Sequence, residues 1–303
     1  MTHATRQLAA GRTWRPLALG VCLLALASCH AFKVATLGDK PDRFDKEPPP
    51  TAPGKQSLRV GQFVFLADFK IKEDQAIFRE LGELPEQVRK DLKLPDSDKL
   101  VYVYLFEDRA RYQRYLKQKQ PKLPERRAFF VVQPRPMGGE EDLIVYTYWS
   151  DRIQQDLRHE LTHALLHSVI NVVPIWLDEG LAEYYELPPQ RNGVNSAHVE
   201  VLRRGPGGAA VPDLARLEGL TEVEQMTRAE YREAWAWVHL MLHGKPEAKA
   251  ALLDYLQYLR PLRPNARPKP LRPQLAAVYP SPEQALEQHL GQLDAGIQAA
   301  ARR

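Results

Sequence analysis

The chain has 303 residues, 44% of them hydrophobic and 26% charged, a globular composition that excludes fibrous, wholly disordered and disulfide-built classes. Its formal charge is +4, and removing Arg6, Arg12 and Arg15 with a cleavable leader lowers the 42 basic residues to 39, against 38 acidic ones. So neutral a chain lacks the basic excess of a nucleic-acid binder, and no nucleic-acid partner is expected.

Residues 1–28 hold those three arginines and no acid, and Leu17 to Ala27 is apolar apart from Gly20. A basic start, a short apolar run and small residues before a cut describe a secretory signal peptide. About a dozen apolar residues are too few to cross a hydrocarbon core about 30 Å thick. The closing Leu26-Ala27-Ser28-Cys29 resembles a bacterial lipobox. That resemblance implies lipidation of Cys29 and a lipoprotein of the bacterial cell envelope, facing the periplasm or the exterior, with the membrane as partner through an N-terminal anchor. Cys22 lies in the leader, so the mature domain has no thiol for disulfide or metal chemistry. Residues 29–56 carry Pro41, Pro48, Pro49, Pro50 and Pro53 among charges and read as a disordered tether.

A folded domain is expected over 57–260. Ser57–Phe69 reads as a strand, and Lys72–Lys93 as an amphipathic helix with Ile77, Leu81, Leu84, Val88 and Leu92 at spacings of three and four. Leu100–Phe106 is a continuous β-branched and aromatic run, followed by a helix over Arg109–Lys119. Ala128–Val132 and Leu143–Trp149 are two further strands, separated by the turn-forming Gln133–Gly139. From Asp151 to Arg260 the pattern is helical, with breaks at Asn171–Pro174, Pro188–Gly193 and Gly205–Gly208. Strands first and helices after predict an α+β fold, a mixed sheet with helices and then a mainly helical part. Residues 261–280 belong to a Pro- and Arg-rich stretch that reads as a solvated connector. Residues 281–303 form a last helix, opened by Ser281-Pro282-Glu283-Gln284 and docked through Leu286, Leu290 and Leu293.

His159-Glu160-Leu161-Thr162-His163 places two imidazoles one turn apart on one helix face, which lets both nitrogens reach one metal ion at about 2.0–2.1 Å. Glu160 lies beside that face, within reach of a water on the metal. Pro174–Glu186 carries Glu179 and Glu183, again one turn apart and set among Trp176, Leu177, Leu181, Tyr184 and Tyr185, poor company for a solvated face. Glu179 is assigned as the third ligand of an open His2Glu zinc site. Glu183 is assigned to accept the other ring N–H of a ligand histidine. His167 and His243, which extend i,i+4 pairs with His163 and His239, lack such acids and read as ordinary helix residues.

His-Glu-Leu-Thr-His-Ala resembles the active-site helix of thermolysin, and Trp-Leu-Asp-Glu-Gly-Leu-Ala is similar to the corresponding segment of aminopeptidase N relatives, both gluzincin zinc peptidases. A closer match in layout is the group of bacterial peptidase-MA-like proteins of unknown function, whose last element matches Tyr231 to Trp235 here. The resemblance spans about Phe63 to Leu242 and implies a zincin-like fold, one Zn2+ held by His159, His163 and Glu179, and Glu183 in its supporting position. Glu160 would act as general base on a metal-activated water and pass the proton to the leaving amine. The family's later-helix donor to the oxyanion would be Tyr231 or His239. Ala128–Val132 would be the edge strand that pairs with extended substrate. Only fifteen residues separate His163 from Glu179, and no aminopeptidase amine-binding motif is evident, so an endopeptidase acting on a peptide or protein substrate is expected. The alternative is a catalytically inactive zincin-fold lipoprotein serving as a binding or structural module.

Overall fold

The computed structural model describes residues 51–121, 125–134, 141–204 and 212–302. The signal peptide, the lipobox with Cys29 and most of the tether lie outside the described residues, as do much of the Gln133–Gly139 turn and the Gly205–Gly208 break. No helix among the described residues is long and apolar enough to cross a membrane.

The fold is α+β: a five-stranded mixed sheet and its helices, then helices alone. The segment expected as one strand over Ser57–Phe69 is a hairpin of β1 (Gln56–Val60) and β2 (Phe63–Ala67), antiparallel from Gln56 opposite Ala67 to Val60 opposite Phe63. Gly61 makes the reversal at φ 59°, a left-handed conformation that glycine reaches without a Cβ clash. β1 therefore starts at Gln56, inside the stretch expected to be tether. After α1 (Ala76–Leu92), β3 (Val101–Phe106) runs parallel to β2. Beyond α2 (Arg109–Lys119), β4 (Ala128–Gln133) pairs antiparallel with β5 (Asp142–Tyr148), which lies parallel to β3. The order β1-β2-β3-β5-β4 leaves β4 at one end of the sheet, the place that the resemblance implied for it.

Both faces of the sheet are covered, which is why β3 and β5 read as continuous apolar runs. Phe63, Phe65, Val103, Phe130 and Val145 pack with Leu81, Leu84 and Val88 of α1 and with Leu157 and Leu161 of α3 (Ile153–His167). On the opposite face Phe106, Phe129, Ile144 and Tyr146 pack on Tyr112, Tyr115 and Leu116 of α2.

The helical half builds outward from α3 through α4 (Ile175–Tyr185), α5 (Ser196–Arg204), α6 (Leu214–Glu218), α7 (Arg228–His243) and α8 (Pro246–Leu259). At Gly180 a Cβ would lie 2.7 Å from the Ala234 carbonyl oxygen and 2.8 Å from Val238 Cγ2, so glycine lets α4 and α7 approach backbone to backbone. The connector is exposed or half-buried over 261–270, as expected, but its second half holds α9 (Arg272–Val278), where Leu271 just before the helix and Leu275 within it are buried. Its backbone is tied down by Tyr255 Oη donating to the Lys269 carbonyl at 2.6 Å and by the Leu271 N–H donating to Glu218 Oε1 at 2.5 Å. α10 (Pro282–Ala301) docks through Leu286 and Leu290, as its stripe predicts, while Leu293 is only partly buried.

Candidate metal centre

α3 packs one stripe, Ile153, Leu157, Leu161 and Leu165, into the core, which turns His159 and His163 toward α4. α4 starts after Pro174 and brings Asp178 and Glu179 against them. The Nε2 atoms of His159 and His163 lie 3.2 and 3.4 Å from Glu179 Oε2. One donor atom from each of these three residues falls within 4.8 Å of the other two, a spacing that a single ion can bridge. These are two imidazole nitrogens and a carboxylate oxygen, and they fit a zinc ion with room for a fourth partner. A second group, His159, Glu183 and Glu186, meets the same distance condition through the shared His159.

The centre borders a cavity of about 300 Å³ lined by His159, Glu160, His163 and Glu179, by Ala128, Phe129 and Phe130 of β4, and by Arg126 just before that strand. The expected base and the expected substrate strand thus share one cavity with the three expected ligands. Phe130 also stacks against His167 and His163, with ring centroids 5.5 and 6.4 Å apart.

The carboxylates behind the ligand histidines are not the one expected. Asp178 Oδ1 lies 2.9 Å from His163 Nδ1, and Glu186 Oε2 lies 3.1 Å from His159 Nδ1. Glu183 instead lies 2.8 Å from His198 Nε2 of α5. Glu179 and Glu183 share one stripe of α4 and Glu186, the C-cap residue, continues it at i+7, and the crossing of α3 over α4 selects which of them meets an imidazole. His167 does not lack an acid, contrary to its expected place as an ordinary helix residue: it is buried, with Nε2 2.9 Å from the second oxygen of Asp178.

Burial opposes charge on these imidazoles, and the acids outweigh it. Glu179 and Glu186 hold His159 well above its ordinary value, and Asp178 with Glu179 raises His163 to about 10. Burial pushes the Glu160 carboxyl up, and His159 and His163 draw it partly back.

Of the two candidate oxyanion donors, the structure brings only Tyr231 to the centre. Its hydroxyl donates to Glu179 Oε1 at 2.7 Å, and burial together with Glu179 raises its pKa. His239 sits away from the cavity, buried between Trp235 and Tyr184, with Nδ1 2.8 Å from His289 Nε2 of α10. Its place one turn beyond Trp235 sends it into the helix packing. Sequence reasoning missed Asp178, Glu186 and Arg126. The first two are legible only as acids flanking the Glu179 stripe, and Arg126 sits in an irregular segment with no periodicity to point to it.

Residues 154–264, which include both motifs, match the family described as Protein of unknown function (DUF1570). No curated protein matches the chain.

Proposed function

We propose that this protein is a zinc-dependent peptidase of zincin-like architecture, anchored to the bacterial cell envelope through Cys29. One observation carries this reading. The donors of His159, His163 and Glu179 converge within 4.8 Å in a cavity that Glu160 and an edge strand also line.

His159, His163 and Glu179 would hold a zinc ion, which would supply Lewis acidity and bring the pKa of a water toward about 7. Asp178 and Glu186 hold the two imidazoles so that Nε2 of each points at Glu179, the tautomer that metal binding needs. Tyr231 orients the Glu179 carboxylate through its hydrogen bond. Glu160 would accept the proton of the attacking water and deliver it to the leaving nitrogen. β4, paired with β5 alone among the strands of the described residues, offers its other edge to an extended peptide and lays it across the cavity. Retention of an acid at Glu160 supports a catalytic rather than a structural centre, because a closed structural site has no use for a base.

The test is the zinc content of the purified protein and of His163→Ala, together with cleavage of an unstructured protein by the parent and by Glu160→Gln. The reading expects one zinc per chain, lost in His163→Ala, and cleavage abolished in Glu160→Gln with zinc retained. Zinc that survives His163→Ala would assign the ion to the His159, Glu183 and Glu186 group. A zinc-loaded parent that cleaves nothing would leave a binding module.

A further inference from the structure

We propose that Arg126 receives the free carboxylate of a substrate's last residue, so that the cavity acts at the carboxyl end of peptides rather than in chain interiors; this rests on the peptidase reading above. Arg126 is the only Lys or Arg among the described residues that line the cavity. Arg126 is exposed overall and so open to a ligand, although burial still bears on its guanidinium. The guanidinium is within hydrogen-bonding reach of the Tyr231 hydroxyl and faces the carboxylates of Glu179 and Glu160. The backbone beside it is pinned: Arg127 donates to Asp156 Oδ1 on α3 at 2.6 Å, and Thr147 Oγ1 of β5 donates to the Arg127 carbonyl at 3.2 Å.

Donor count points to an anion. Glu125 and Glu224 also line the cavity and are exposed like Arg126, so water screens all three. The Tyr231 hydroxyl donates to Glu179, so toward Arg126 it can only accept, which occupies one of five guanidinium N–H groups. The others form a planar fork that matches a carboxylate. A peptide paired with β4 passes Arg126 at the start of that strand, and there its terminal carboxylate meets the fork.

The experiment uses the full zinc-loaded protein and one short peptide in three forms: free acid, C-terminal amide, and amide with Glu as its last residue. Binding is measured by calorimetry on Glu160→Gln, alone and combined with Arg126→Gln, and cleavage is measured on the parent. The free acid should bind at least about tenfold more tightly than the amide, the gain of a charge-assisted hydrogen bond. Arg126→Gln should abolish that preference while zinc content and amide binding stay within about twofold. Arg126→Lys should restore part of it. Equal binding of acid and amide, no binding of the acid, or equal loss of both in Arg126→Gln overturns the proposal. Binding of the Glu-ended amide as tight as the free acid moves the anion to a side chain and overturns it too. Acid-selective binding without any cleavage by the parent overturns the peptidase reading and leaves the Arg126 assignment standing.

Discussion

Two helices of this protein present histidines one turn apart, His159 and His163 on α3 and His239 and His243 on α7, and the two pairs behave in opposite ways. Burial does not separate them, since His163 is 3% and His239 2% exposed. Their neighbours do. α4 brings Asp178 and Glu179 to the α3 pair, and Glu186 follows just after it, so His163 is raised to about 10. Around the α7 pair rings dominate: His243 stacks on His239 with centroids 4.5 Å apart, His289 closes on the other side, and Tyr184 Oη lies 2.7 Å from His243 Nε2, while Lys249 and Asp91 act on His243 with opposite signs. Burial and the neighbouring histidines therefore lower His239 to about 3, and burial lowers His289 to about 4. Of the two pairs, only the one on α3 meets carboxylates that could complete a metal site among the described residues.

The largest expected effect that could break this contrast is on metal binding. Glu179→Ala should abolish zinc binding and the thermal stabilisation that zinc gives, whereas His239→Ala and His243→Ala should each retain one zinc. Zinc lost from the α7 variants, in protein that is still folded, would void the distinction.

Next comes acid stability. An unfolded histidine titrates near 6.5, and His239 and His289 titrate near 3 and 4 in the folded protein. The pair costs nothing above about pH 6.5, and its neutral state is penalised as the pH falls from there toward 3–4, by up to about 1.4 kcal/mol per unit for each histidine. Urea unfolding midpoints at pH 7 and pH 5 should show this, with a shallower fall in His289→Gln. His163, raised in the metal-free protein, has the opposite sign: its contribution is complete below about pH 6.5 and is lost as the pH climbs toward 10.

Asp178→Asn and Glu186→Gln should weaken zinc binding by about 10- to 100-fold in chelator competition. Glu183→Gln should change it by less than about twofold, since its partner is His198. A large loss in Glu183→Gln alone would restore the sequence-based assignment. The smallest shift tests the joint between the two clusters: Gly180→Ala forces a methyl against Ala234 and Val238 and should cost about 1–3 kcal/mol in thermal or urea unfolding.

Much of the fold was legible because periodicity reports burial. β3 and β5 fall within one residue of the apolar runs Leu100–Phe106 and Leu143–Trp149, since a strand covered on both faces must be apolar throughout. The hairpin within Ser57–Phe69 was hidden because Val60, Phe63 and Phe65 read straight across a turn that rests on Gly61 alone. α9 was hidden because prolines suggested solvent, while Leu271 and Leu275 make the contacts that fold the connector down.

The sequence by itself determined the α+β class and the grouping of His159, Glu160, His163 and Glu179, because helical spacing and burial are local consequences of residue order. Only the tertiary structure decided that Asp178 and Glu186, not Glu183, back the two imidazoles, that Arg126 reaches over the cavity, and that His239 belongs to a separate ring cluster. The physical reason is that one helix stripe offers several acids in equivalent positions, and the crossing of α3, α4 and α7 selects among them.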